Sequence, residues 1–472
     1  MTIVQPSTGR STSLSVEASG RLLHRAADEV ASYRASLPDR VVAATKDMAT
    51  LGGAFGGPLP QHSLPPEQVL DELVAAAEGG LVATAGPRFF GFVIGGALPA
   101  ATAAEILAAG WDQCAFNAVL APAATAAEEG AAGWLKQLLG IPMSSSVGFV
   151  TGAQAANTVG LAAARHHVLS EVGWDVEREG LLRAPPVRVV ASVERHATID
   201  RSLRLLGLGS NTVENVRAGA NGAIDVDDLS AVLAATPSGP TIVCLQADNV
   251  NTGACDDLRR ACDAVHQHGG WAHVDGAFGL WAAASPRTRH LVDGVELADS
   301  WGCDGHKWLN VPYDSAFAFC ARPEVHVAAM SYTASYLVGS GGNPSASDYT
   351  AESSRRARGF AVWAALKELG HDGVTDLVDK GCGLARRFAD GLTSVGIEVA
   401  NDVVLNQVLV SFGDDTRTEQ VINAIQRDGT CWMGGTTWRG RRLMRISVSN
   451  HLTTEDDVDR SVAAILKLNE TV

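Results

Sequence analysis

The chain has 472 residues, 46% of them hydrophobic, which is enough for a large core and too long for one compact domain. A formal net charge of −15 argues against a nucleic-acid surface or an anionic-membrane surface, because both call for cationic faces. Eight cysteines over this length, none in a C-x-x-C pair, are no disulfide framework; they read as buried thiols of a reducing cytoplasm.

Residues 1–20 are rich in Ser and Thr, lack the apolar stretch of a signal peptide, and read as a flexible arm. From 21 to 36 apolar residues recur at helical spacing (Leu22, Leu23, Ala26, Val30) and stop before Pro38. The Gly/Pro-rich stretch 51–66 reads as irregular connection. Ser63-Leu64-Pro65-Pro66-Glu67 then predicts a helix start with proline in its first turn, running to about 78. An aromatic cluster, Arg88-Phe89-Phe90-Gly91-Phe92, precedes a mostly helical stretch over 100–140 that ends on Gly140. From 147 onward short apolar strands alternate with amphipathic helices, with strands expected over 147–150, 187–192, 241–246, 271–274 and 316–320. That alternation predicts an α/β fold with a mostly parallel sheet, whose ligand sits at the carboxyl ends of the strands. The last section, with helices over 360–369 and 374–395 and strands over 407–412 and 443–448, reads as a smaller α+β domain. The expected division is an N-terminal segment 1–95, a large domain 96–357 and a small domain 358–472. No apolar run reaches membrane-spanning length.

The chemistry concentrates in two runs. His273-Val274-Asp275-Gly276-Ala277-Phe278 ends an apolar strand on an aspartate, and Gly305-His306-Lys307-Trp308-Leu309-Asn310 places a lysine about thirty residues later, one βαβ-sized step on. An aspartate and a lysine in this order are what pyridoxal 5′-phosphate (PLP) requires. Lys307 forms a Schiff base with the aldehyde, and Asp275 keeps the pyridine nitrogen protonated so that the ring accepts electrons. Phe149-Val150-Thr151-Gly152-Ala153-Gln154 is a strand, a small-residue turn and a helix start. Such a terminus can hold a phosphate on its amides, here those of Gly152, Ala153 and Gln154. There is no H-E-x-x-H, no Walker A and no complete G-x-G-x-x-G, and no metal site is expected; His166-His167 and His266-x-His268 read as helix-surface residues.

The run from Asp299 to Asp314, Asp-Ser-Trp-Gly-Cys-Asp-Gly-His-Lys-Trp-Leu-Asn-Val-Pro-Tyr-Asp, resembles the active-site lysine segment of the group II PLP-dependent decarboxylases, among them aromatic-L-amino-acid, tyrosine, tryptophan, histidine and glutamate decarboxylases. The resemblance covers the chain from about Pro87 onward. It implies a fold type I, aspartate aminotransferase-like enzyme, a homodimer with active sites at the subunit boundary. It implies that His196, after Ser192-Val193-Glu194-Arg195, stacks on the pyridine ring and takes part in protonation, and that His306 contacts the phosphate or the substrate carboxylate. Asn249, Thr252 and Ala277 are further cofactor-lining positions. The Gly-rich stretch Gly339-Ser340-Gly341-Gly342-Asn343-Pro344, ahead of Arg355-Arg356-Ala357-Arg358, looks like a mobile lid; Tyr349 is its candidate proton donor, with Tyr332 and Tyr336 as alternatives. Phe89 and Phe92, with Phe90 and Trp111, suggest an apolar substrate pocket. The implied reaction is decarboxylation of an L-amino acid, aromatic by preference, to the amine. An oxygen-using aldehyde synthase, a transaminase or a C–C lyase are the rival outcomes. Three departures stand out: Gly86 where the family has histidine, no serine in the phosphate turn, and Asp304-Gly305 in place of Asn-Pro. A carboxylate beside a phosphate is repulsive, so Asp304 is expected to turn away or to pair with a cation.

Overall fold

The computed structural model describes residues 15–235, 239–332 and 344–472. Three helices begin the chain: α1 (Val16–Ser36), α2 (Met48–Phe55) and α3 (Pro66–Ala77), none of which buries a residue. α2 runs into the stretch 51–66 that its glycines mark as irregular. Asp47 overrides them by capping the helix, its carboxylate accepting the Thr50 N–H at 2.8 Å. The expected helical region 100–140 is two helices, α4 (Pro99–Trp111) and α5 (Pro122–Leu139), each with proline in the first turn and a left-handed residue closing it.

The large sheet is assembled from β1 (Ser146–Val150), α6 (Ala153–Ser170), α7 (Val176–Glu179), β2 (Arg188–Ser192), α8 (Ala197–Leu205), β3 (Val213–Val216), α9 (Val226–Ala234), β4 (Thr241–Gln246), α10 (Leu258–Gln267), β5 (Trp271–Asp275), β6 (Ser300–Asp304), β7 (Ala316–Cys320) and α11 (Pro323–Met330). Strand order is β1-β7-β6-β5-β4-β2-β3; β7 runs antiparallel to β6 and β1, and the other neighbours are parallel. β4 to β7 are buried along their whole length, as expected for strands covered on both faces. β3 reads Val-Glu-Asn-Val, half polar at the sheet's edge, too short and mixed to stand out in the sequence.

α12 (Gly359–Thr393) leads into the small domain and is interrupted at Gly370, where φ is +61°. There follow β8 (Glu398–Val399), β9 (Gln407–Ser411), α13 (Asp415–Asp428), β10 (Gly434–Trp438), β11 (Arg441–Ser447) and α14 (Glu455–Thr471), with an antiparallel sheet in the order β10-β11-β9-β8. The aromatic cluster ties the N-terminal segment to this domain. Phe90 is buried edge-on against Phe388, 4.9 Å between ring centres, so it is a core residue and not a pocket wall. Arg88 is buried and donates to the carbonyls of Thr430, Pro38 and Arg40. Among the described residues no helix is long and apolar enough to cross a membrane, and all eight cysteines are free thiols.

Candidate active site

Adjacent strands of a parallel sheet deliver their last residues to one edge, and here three strand ends carry polar groups. Gln246 ends β4, Asp275 ends β5 and Asp304 ends β6, with Gln246 in register with Asp275 and Asp275 with Gly302. Lys307 follows Asp304 by three residues. Its Nζ lies 3.1 Å from Asp304 Oδ2 and sits over the Phe278 ring at 5.7 Å. Gly95 lies against the Lys307 backbone; a Cβ there would fall 1.8 Å from the Lys307 carbonyl oxygen. Burial pushes the Lys307 amine down, but the charges of Asp304, Asp248 and Asp275 outweigh it and leave the amine raised.

Asp275 is buried, and its Oδ1 has no hydrogen-bond partner. A buried, unpartnered carboxylate oxygen beside a lysine is the acceptor that a protonated pyridine nitrogen needs, so these residues fit the cofactor that the sequence calls for. Burial raises the Asp275 carboxyl, opposed by His196, Lys307 and a hydrogen bond from the Asn157 side chain. Asp248, two residues past β4, lies in the same charge cluster. Burial and Asp275 push it up to about 8, although Oδ2 accepts the N–H of Phe278 at 2.7 Å and of Gly279 at 2.5 Å.

His196 caps α8. Its Nδ1 accepts the Thr198 N–H at 3.3 Å and lies 2.8 Å from Thr198 Oγ1, so the neutral ring carries its hydrogen on Nε2. Burial lowers its pKa, while the nearby Asp275 pulls the other way.

The α6 terminus is less open than its small residues suggest. Gly152 gives no side-chain cap, and the Ala153 N–H is taken by Asp304 Oδ1 at 2.6 Å. Asp304 therefore does pair with a cation, and it caps a helix as well. His306 lies 3.4 Å from the same carboxylate; its Nδ1 accepts the Ser315 N–H at 3.1 Å, and Tyr313 stacks on its ring at 4.2 Å. Gln154 turns its amide toward α8, donating to Ser202 Oγ at 2.8 Å. Asn249 accepts the N–H groups of Asn251 and Thr252 on Oδ1, shaping the loop after β4. Ala277 is buried, and its carbonyl accepts the Asp304 N–H at 2.9 Å.

Phe89 and Phe92 flank one ring, Trp432, at 4.9 and 5.3 Å; Phe89 is buried and Phe92 is 64% exposed. Gly91 lets the indole pass, since a Cβ there would fall 2.1 Å from it. Phe92 is three residues from Gly95, which packs on the Lys307 backbone. Trp111, in contrast, packs on Phe360 away from this cluster. Tyr349 is not brought to Lys307 within the protomer. It lies against Gly148 of β1, the edge strand two places from β6, with its ring on His326 at 5.1 Å. Tyr332 is exposed and bonds Ser353 Oγ at 2.8 Å; Tyr336 and most of the glycine stretch lie outside the described residues. The arginine cluster is structural: Arg355 makes a buried pair with Glu128 at 2.9 Å and Arg358 pairs with Asp314 at 2.7 Å.

Arg445 on β11 was not legible in the sequence as a site residue. It is half-buried, and burial pushes its pKa down to about 10; it donates to Val250 O at 3.1 Å, and its charge reaches His196. Among the described residues it pairs with no carboxylate, and no cluster of residues suited to a metal ion occurs.

Residues 56–412 match the family model described as the pyridoxal-dependent decarboxylase conserved domain. The chain is 25% identical to tryptophan decarboxylase 1 of Oryza sativa subsp. japonica, over 95% of this chain and 93% of that protein. It is 24% identical to 4-hydroxyphenylacetaldehyde synthase of Rhodiola rosea, over 92% of this chain and 91% of that protein. The crystal structure of Oryza sativa TDC with PLP and tryptamine superposes with a TM-score of 0.90 at 23% identity, covering 99% of both chains.

Proposed function

This chain belongs to the pyridoxal-dependent decarboxylase family, with PLP as its cofactor and the type I fold, and within that family we propose that it decarboxylates an aromatic L-amino acid to the amine. The observation that carries the proposal is Lys307 in one charge cluster with Asp275, whose Oδ1 is unpartnered, with Phe92 of the Phe89–Trp432–Phe92 stack three residues before Gly95, which packs on the Lys307 backbone. When bound, the cofactor draws electrons from the substrate α-carbon so that the carboxylate leaves as CO2. Lys307 is the amine that tethers the cofactor, and Asp275 is the anion that keeps the ring nitrogen protonated. Arg445 is a half-buried cation suited to holding the substrate carboxylate at first binding. His196, with its hydrogen on Nε2, returns a proton to the α-carbon. Gly152, Ala153 and His306 form the end that takes the phosphate. The aromatic stack favours flat, apolar side chains through offset contacts.

A second reading has its own support. Tyr349 stands on His326, so among the described residues the lid phenol does not reach Lys307 within the protomer to return that proton. Where no proton is delivered to the α-carbon, oxygen would be the alternative reactant, and amino acid, O2 and water would become aldehyde, CO2, ammonia and hydrogen peroxide. Incubating the holoenzyme under air with single L-amino acids, and measuring CO2, amine, aldehyde and peroxide, separates the two. Amine without peroxide from aromatic substrates is the expected result. Equimolar aldehyde and peroxide moves the protein to the second reading, and CO2 release from acidic or basic amino acids alone refutes the aromatic preference.

We also infer a homodimer. Helices α1 to α3 bury nothing yet carry Leu23, Val30, Met48, Phe55, Val69 and Leu73 as exposed side chains, an apolar face that suits a second copy. Sedimentation at micromolar protein gives twice the mass of the chain if this holds and the mass of one chain if it does not.

A further inference from the structure

Behind Asp275 lies a closed run of polar side chains that no step above uses. Trp271, His273, Asn157 and Ser300 are all fully buried between β5, β6 and α6. Polar groups in such a place are kept only when each has a partner, so the run can be traced hydrogen by hydrogen. Trp271 Nε1 can only donate, and it donates to Ser300 Oγ at 2.9 Å. Ser300 Oγ lies 2.8 Å from His273 Nδ1, and its one hydroxyl hydrogen is free to go there. Full burial keeps the ring uncharged, with its pKa pushed down to about 3, so Nδ1 accepts and the hydrogen is on Nε2. Nε2 then donates to Asn157 Oδ1 at 3.1 Å.

That last bond fixes which way the Asn157 amide faces. With Oδ1 held by His273, Nδ2 points to the site, 3.5 Å from Thr198 Oγ1, and its amide is felt by the Asp275 carboxylate, whose pKa it lowers. Thr198 is a weaker donor to Asp275. Its single hydroxyl hydrogen has His196 Nδ1 at 2.8 Å and Asp275 Oδ2 at 3.5 Å as rival acceptors, and the shorter contact wins. The amide of Asn157 thus faces the Asp275 side of the run, reaching Thr198 Oγ1, which itself lies 3.5 Å from Asp275 Oδ2. Two glycines make room for the run: a Cβ at Gly160 would fall 2.7 Å from His273 Cε1, and one at Gly302 2.6 Å from Asn157 Oδ1.

We propose that His273 and Asn157 are positioning residues for the cofactor: His273 Nε2–H holds the Asn157 carbonyl, and the amide so turned holds Asp275 in the orientation that leaves Oδ1 free for the pyridine nitrogen. The inference rests on the cofactor and not on the choice of substrate, so it stands or falls apart from the decarboxylation reading.

The experiment is PLP titration of the purified apoprotein, with thermal melting of the same samples. His273→Gln keeps a donor where Nε2 was, whereas His273→Asn keeps one only where Nδ1 was. His273→Asn is expected to weaken PLP binding about tenfold or more, the loss of one buried hydrogen bond, while His273→Gln stays within about threefold of the parent. Equal binding by both variants, weak or strong, overturns the proposal, because the side of the ring that donates then makes no difference. Should His273→Asn fail to fold, Asn157→Asp takes its place, since it keeps the shape and removes the donor. The same weakening is expected of it, and parent-like PLP affinity with a parent-like melting temperature overturns the proposal.

Discussion

The two ends of the cofactor site are built on different principles. At the Asp275 end a neutral run of side chains, from Trp271 to Asn157, sits inside the sheet and presents one carboxylate with one open oxygen. At the α6 end, charge is crowded. Asp304 holds the Ala153 N–H, Lys307 and His306 together, where a phosphate would also look for donors. The first end is organised before the cofactor arrives. The second must redistribute its partners when Lys307 gives up its charge and a second anion enters. Preorganisation of this kind is cheap where burial leaves a neutral group no alternative partner, and it is not available where two anions share one helix terminus.

The comparison can be broken most severely at the residue common to both ends. Lys307→Ala removes the tether, and turnover and the visible absorbance of the lysine-bound cofactor should both vanish; a comparable rate would misplace the site. Asp275→Ala should retain some cofactor through the other end but lower the rate by about 10² to 10³ or more, as loss of a buried stabilising group does. Near-normal activity would refute the role of the open oxygen.

Asp304→Asn tests the crowded end and has a sign that can be worked out. Burial pulls the Lys307 amine down, yet its three carboxylate neighbours leave it raised, so at neutral pH it is held as ammonium, unable to attack the aldehyde. Cofactor capture should therefore speed up as pH rises from neutral toward alkaline. Removing one negative charge lowers the amine's pKa and should shift that rise to lower pH, with tighter PLP binding. Stopped-flow absorbance over a pH series reads both, and an unshifted profile with weaker binding would mean that the carboxylate assists the phosphate. The smallest effect is expected at Tyr349, whose ring rests on His326. Tyr349→Phe should leave the product ratio under air nearly unchanged, and a switch from amine to aldehyde and peroxide would return the proton-donor role to this phenol.

How much of this was readable along the chain differs between the same two ends. Asp275 and Lys307 stand at the ends of apolar strands, and their residue types and order announce the chemistry. Phe89 and Phe92 were readable as an aromatic pair, but not Trp432, which arrives from a distant part of the chain to lie between them. Phe90 and Trp111 carried the same aromatic signal and went elsewhere, because hydrophobic side chains are interchangeable to a pattern and distinguished only by packing. The part of α2 from residue 51 to 55 was read as irregular since its glycines are visible at once, whereas the Asp47 cap matters only after the turn has formed.

By itself, the sequence determined the α/β class and the cofactor and pointed to the two residues proposed to touch it, because strand periodicity and the demands of an electron-accepting ring are local and chemical. Only the tertiary structure decided the direction of each hydrogen. Asn157, Thr198 and the β5 residues His273 and Asp275 come from distant parts of the chain and meet solely because β5, α6 and α8 come together at one sheet edge. Likewise Asp304 became a helix cap and a partner of Lys307, and Arg445 entered from the small domain, through approach of elements that no pattern along the chain records. A hydrogen bond depends on distances of a few ångströms between groups hundreds of residues apart, and those distances exist only once the core has packed.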